Sequence, residues 1–113
     1  MKLQTVLVAA AVLVTGCAST APAQMYRPAG STDAAWQIDG EFEQLGKKLT
    51  IRFNGETVLS GNLSFFGNTA ELKGSYKEKP VSSSCSQSYN MWGTAKTQCF
   101  VFVNNERAAT LQF

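Results

Sequence analysis

Residues 48–60 read KLTIRFNGETVLS, and this stretch decides the fold. Leu49, Ile51 and Phe53 alternate with Thr50 and Arg52, the period-two pattern of a strand with one buried face. Asn54-Gly55 follows, the strongest short hairpin signal, because both central residues of such a turn take a left-handed backbone. A turn there sets Phe53 against Glu56 and Ile51 against Val58, so the apolar faces of the two arms agree.

The same test applies elsewhere. In QCFVFVNNERAATLQF (98–113) a turn at Asn104-Asn105 sets Phe100 against Ala109 and Gln98 against Leu111. Phe100, Phe102, Ala109, Leu111 and Phe113 would then share one face, with Cys99, Val101 and Val103 on the other. In NLSFFGNTAELKG (62–74) a turn at Gly67-Asn68 sets Phe65 against Ala70 and Leu63 against Leu72. Asparagine tolerates the left-handed backbone that these turns demand. Trp36, Ile38 and Phe42 share a further strand face, and Ala70–Tyr76 and Val81–Cys85 can supply more strands. Short strands separated by regular turn signals predict an all-β domain over 35–113, an antiparallel sandwich or partly closed barrel of about 6–8 short strands. IRFNGETVLS and VFVNNERAAT echo each other as one turn solution used twice.

Upstream the composition changes. Residues 18–34, ASTAPAQMYRPAGSTDA, are small and proline-containing, and read as a flexible tether with a random-coil reach of about 20–25 Å. Before them, Lys2 precedes the apolar run Val6–Val14 (VLVAAAVLV) and the small residues Thr15 and Gly16. That order is a secretory signal peptide over 1–16, and its apolar run is far short of the ~20 residues of a membrane-spanning helix.

Val14-Thr15-Gly16-Cys17 resembles the lipobox of bacterial lipoproteins. The resemblance implies a diacylglyceryl thioether on the Cys17 sulfur, cleavage just before it, and acylation of the new amino group by a chain such as palmitate. Each buried methylene contributes about 0.8 kcal/mol, and two or more chains give stable anchoring. The residue after the cysteine is Ala18 rather than aspartate. In the resembled family that implies the outer membrane, with the domain facing the periplasm.

The chain carries a net charge of +2 and no basic block, which argues against nucleic-acid binding. With Cys17 assigned to lipid, Cys85 and Cys99 remain, and an even pair in an oxidising compartment suggests a disulfide. Histidine is absent and two sulfurs make an incomplete metal site. No metal or other cofactor is therefore expected.

Candidate chemistry is sparse. No Ser-His-Asp or Cys-His arrangement is possible without histidine. Glu41 and Glu43 would share one strand face, whereas glycosidase carboxylates face each other across a cleft. Ser82-Ser83-Ser84 has no adjacent base, so the expectation is that the protein is not an enzyme. The segment SSSCSQSYNMWGTAKTQC (82–99) places Tyr89, Met91 and Trp92 inside the loop that the disulfide would close. Two readings stay open there. Such amphipathic aromatics suit a recognition loop for an envelope protein or glycan, or they fold back as a lid on a small core. The expected role is a membrane-anchored envelope lipoprotein acting as an accessory or binding module. KGSYKEKP (73–80) is loosely similar to the Ser-Gly-containing loop of membrane-bound lysozyme inhibitors. That resemblance implies the alternative of inhibiting a lysozyme-like cell-wall hydrolase, although residue order and cysteine positions depart from the pattern.

Overall fold

The computed structural model describes residues 18–32, 34–63, 68–93 and 95–113. Among the described residues eight strands follow in order: β1 (Ala18–Tyr26), β2 (Trp36–Glu43), β3 (Lys48–Phe53), β4 (Glu56–Asn62), β5 (Thr69–Tyr76), β6 (Lys79–Tyr89), β7 (Ala95–Val103) and β8 (Glu106–Gln112). They form two antiparallel sheets, β1-β2-β3-β4 and β5-β6-β7-β8. The sheets pack face to face over one apolar core that holds Trp36, Ile38, Phe42, Ile51 and Phe53 from the first and Val81, Val101, Val103 and Leu111 from the second. The all-β expectation holds, and the architecture is a sandwich rather than a closed barrel.

Both asparagine turns form where the sequence places them. Asn54 and Gly55, and Asn104 and Asn105, all have positive φ. Phe53 opposes Glu56 and Val103 opposes Glu106, as the turn geometry requires. Two residues further on, each hairpin departs from simple counting. Ile51 opposes Leu59 rather than Val58, and Val101 opposes Ala109. Val58 and Ala108 are the extra residues of two equivalent β-bulges, each leaving two residues opposite one. Beyond a bulge the parity of the return strand inverts. The expected face of Phe100, Phe102, Ala109 and Leu111 is therefore corrected: Cys99, Val101, Val103, Ala109 and Leu111 are buried together, while Phe100 and Phe102 are half-buried on the outer face. The Arg107 guanidinium covers the Phe100 ring at 5.0 Å.

The middle hairpin is a second correction. β4 and β5 belong to different sheets, so Leu63 and Leu72 are not cross-strand partners. Phe65 and Gly67 lie outside the described residues. The chain crosses between sheets here, and β4 and β5 approach so closely that a Cβ on Gly74 would lie 3.1 Å from the Val58 carbonyl oxygen.

The two sheets share one plan. Tyr26↔Trp36, Ile38↔Phe53 and Phe42↔Leu49 in the first correspond to Tyr76↔Lys79, Val81↔Val103 and Cys85↔Cys99 in the second. Even the closing hydrogen bonds recur. Asn54 N–H donates to the Gln37 carbonyl and Asn104 N–H to the Pro80 carbonyl; Leu63 N–H donates to Lys47 and Phe113 N–H to Thr97. The echo between the asparagine hairpins thus extends to whole four-strand units, with the disulfide standing where the first sheet pairs phenylalanine with leucine.

The stretch expected to be a flexible tether over 17–34 is corrected in its first half. Ala18–Tyr26 is strand β1, paired with β2 from Ala18↔Glu43 to Tyr26↔Trp36. Only Ala21 among its side chains is fully buried, so polar contacts hold it to the second sheet. The Gln24 amide donates to the Thr110 carbonyl and accepts from the Thr110 N–H, as a neighbouring backbone would. The Tyr26 hydroxyl donates to Glu106 Oε1 at 2.5 Å. Tyr26 also meets Trp36 edge-on, and Tyr76 meets the same indole from the second sheet at 5.0 Å. Burial, then the hydrogen bond to the Glu106 carboxylate and its charge, push the Tyr26 phenol up to about 12.

A phenol raised in the folded state favours folding fully below its unfolded value of about 10, and that contribution is lost as pH rises through the folded value. Between pH 10 and 12 the melting temperature should fall more steeply for the wild type than for Tyr26→Phe. Parallel curves would show that the β1–β8 seam does not depend on this bond.

Candidate functional site

The β6–β7 hairpin outgrows its counterpart. The pairs Glu43↔Lys48 and Ser86↔Gln98 occupy equivalent positions, but β2 and β3 stop there, while β6 and β7 continue through Gln87↔Thr97, Ser88↔Lys96 and Tyr89↔Ala95. At about 3.4 Å per residue, three additional pairs carry the tip about 10 Å beyond its equivalent. Its neighbours follow only through the first of these pairs, where Gln87 N–H donates to the Asn68 carbonyl and Phe113 N–H to the Thr97 carbonyl; β5 itself begins opposite Ser86 and β8 ends opposite Gln98.

The three residues singled out by sequence sit at this tip. Tyr89 is 55 % exposed, Met91 87 % and Trp92 83 %. Of the two readings, the core lid is corrected: a hairpin that overruns both neighbours has no core beneath its end, and its large apolar side chains face solvent. The turn itself is ordered. Asn90 Oδ1 accepts from the Trp92 N–H at 2.9 Å and the Asn90 carbonyl accepts from Gly93 N–H at 3.0 Å, with Gly93 at φ 81°. Below it, the Tyr89 hydroxyl donates to Gln87 Oε1, and Gln87 Nε2 donates to Thr97 Oγ1. The tip presents its apolar groups from a paired ribbon.

Cys85 and Cys99 form the expected disulfide at the base of this ribbon, directly across β6 and β7. Both are buried in the core. Cys17 lies outside the described residues. Ala18, which follows it, opens β1 opposite Glu43, at the same end of the sandwich as the tip. Leu45, in the turn after β2, also belongs to this end and is 89 % exposed. Sequence reading missed it, since one leucine among turn residues carries no periodic signal.

The other candidates have structural roles. Glu41 Oε1 and Asp39 Oδ1 flank Arg52 at 3.3 and 3.1 Å on the outer face of the first sheet. Glu43 opposes Lys48. Ser83 is buried with its hydroxyl 3.7 Å from Cys85 Sγ, and Ser84 donates to Glu71 Oε2 at 2.6 Å. KGSYKEKP forms the β5–β6 hairpin, closed by the two-residue turn Lys77-Glu78 with both φ positive. That turn lies at the end opposite the tip. An open depression of about 280 Å³ at this opposite end is lined by Tyr26, Pro28, Lys79, Asn104 and Glu106 among others.

No protein-family model, curated protein sequence or solved structure matches the chain. Assignment therefore rests on geometry and on the motifs of the sequence.

Closing a loop of about 15 residues contributes about 3 kcal/mol in the chain-entropy view. Each kcal/mol moves the melting temperature of a domain this size by about 4–8 °C. Reduction of Cys85–Cys99 should therefore lower the melting temperature by at least several degrees. An unchanged melting temperature would mean that the ribbon and core hold without the bridge.

Proposed function

We infer that the protein is a lipid-anchored module of the bacterial envelope, acylated at Cys17 and binding through the tip of the β6–β7 hairpin without a catalytic step. The observation that carries the binding role is the exposure of Tyr89, Met91 and Trp92 on an ordered projection. Monomeric surfaces bury most side chains of this kind, and clustered exceptions mark contact sites. The anchor is supported by the apolar run Val6–Val14 ending in Val14-Thr15-Gly16-Cys17. A disulfide in the core suits an exported domain. Ala18 after the cysteine favours the outer membrane, with the domain on the periplasmic side.

The lysozyme-inhibitor alternative draws no support from the geometry. Its candidate loop is a two-residue turn whose strands pair up to Tyr76↔Lys79, leaving nothing long enough to enter a cleft.

Cells given a labelled fatty acid should label the wild type at Cys17 and hold it in the membrane fraction. Cys17→Ala should lose the label and the membrane association together. Labelling that survives the substitution would contradict the anchor. In the same cells a photo-crosslinker at position 92 should yield a defined adduct, and its absence would contradict binding at the tip.

A further inference from the structure

We propose that the end of the sandwich bearing Leu45, Tyr89, Met91 and Trp92 docks on the lipid bilayer itself, seating the domain upright on its own anchor. This rests on the reading of Cys17 as the acylated residue. The decisive observation is where β1 begins. A tether of some 17 residues would let the domain drift away from the headgroups, but Ala18 is already in the sheet, opposite Glu43. Consecutive Cα atoms are about 3.8 Å apart. Acyl chains on the preceding residue would therefore hold this end of the sheet at the membrane surface.

Among the described residues, four of the five large exposed apolar side chains gather at that same end; Met25, 64 % exposed, lies near the other end, opposite Gln37. β2 and β3 are joined there through Leu45, β6 and β7 through Met91 and Trp92, and the β4–β5 connection lies there too, where Lys47 Nζ donates to Asn68 Oδ1 at 3.3 Å. Ala18 stands level with Glu43, whose counterpart in the second sheet is Ser86. The β6–β7 ribbon runs three residue pairs past that counterpart, so the tip is the part of the second sheet that projects furthest at this end, and a lipid attached beside Ala18 would bring it toward the interfacial zone of a bilayer. Tryptophan and tyrosine are enriched at that depth because an apolar ring and a polar edge are both accommodated. Met91 supplies a flexible apolar group beside them.

Charge agrees with this placement. Lys47, Lys48 and Lys96 stand at this end against Glu43, a positive balance that suits anionic headgroups. The opposite end is more nearly balanced, with Arg27, Lys77, Lys79 and Arg107 beside Glu56, Glu78 and Glu106. The acyl chains would supply retention, and the tip would fix orientation. The β5–β6 and β7–β8 turns would then point away from the membrane.

Trp92 is its own probe, because the other tryptophan, Trp36, is 2 % exposed in the core. The mature protein, purified from membranes and reconstituted in vesicles of phosphatidylethanolamine and phosphatidylglycerol, is compared with Trp92→Phe. The expected difference spectrum is blue-shifted, quenched by lipids brominated near the carbonyl end of the chain, and shielded from aqueous iodide. Trp36 in the variant should respond to neither quencher. A Trp92 that stays red-emitting and open to iodide overturns the proposal, and so does a position-92 crosslink in cells that goes to a protein or glycan instead of lipid. Mass spectrometry of the same preparation reads the anchor separately. An unmodified Cys17 with Trp92 still quenched by bromolipid would remove the anchor and support docking. An acylated Cys17 with an iodide-accessible Trp92 would do the reverse.

Discussion

Val58 and Ala108 each add one residue to the return strand of an asparagine turn, and the two-residue period of a strand converts that addition into a choice of face. Past the bulge, Leu59 and Ala109 turn inward to meet Ile51 and Val101. Without it, Leu59, Ala109 and Leu111 would point to solvent and β4 and β8 would lose their share of the inner faces. Because both hairpins make the same choice, both sheets present matching inner faces. In the unbroken β6–β7 register Cys85 and Cys99 fall opposite each other inside the core, in the place that Phe42 and Leu49 hold in the first sheet. Tyr26 and Tyr76, also equivalent, reach the one indole of Trp36.

The turns were legible because Asn54-Gly55 and Asn104-Asn105 announce them locally, and the alternation of Leu49, Ile51 and Phe53 needs no tertiary information. The bulges were not legible. Val58 and Leu59 are both apolar, as are Ala108 and Ala109, so either parity satisfies the pattern and only packing against the other sheet selects one. The Gly67-Asn68 signal was equally good on paper, yet the segment it occupies connects two sheets. Strand β1 was hidden for a different reason. Its sequence is small and polar, and its order comes from Gln24 and Tyr26 reaching Thr110 and Glu106, partners 86 and 80 residues away.

The candidate site shows the same division. Tyr89, Met91 and Trp92 stand out in any reading of the chain, as does the cysteine pair that brackets them. Their exposure depends on register, since the end of the β6–β7 ribbon is unsupported because the chains flanking it reach no further than the Gln87↔Thr97 pair. Leu45 acquires meaning only once the two sheets are seen to share a plan.

Strand β1 links the fold to the proposed function, because on the proposed Cys17 anchor it separates a domain on a leash from one held close to the membrane. Amide hydrogen exchange across residues 18–26 of the mature protein tests this most directly. Slow exchange at the β1 amides that pair with β2, collapsing only with the rest of the first sheet, is the result that the paired register requires. Exchange at the free-chain rate throughout this segment would mean a tether after all, and would contradict the proposed docking of the hairpin tip.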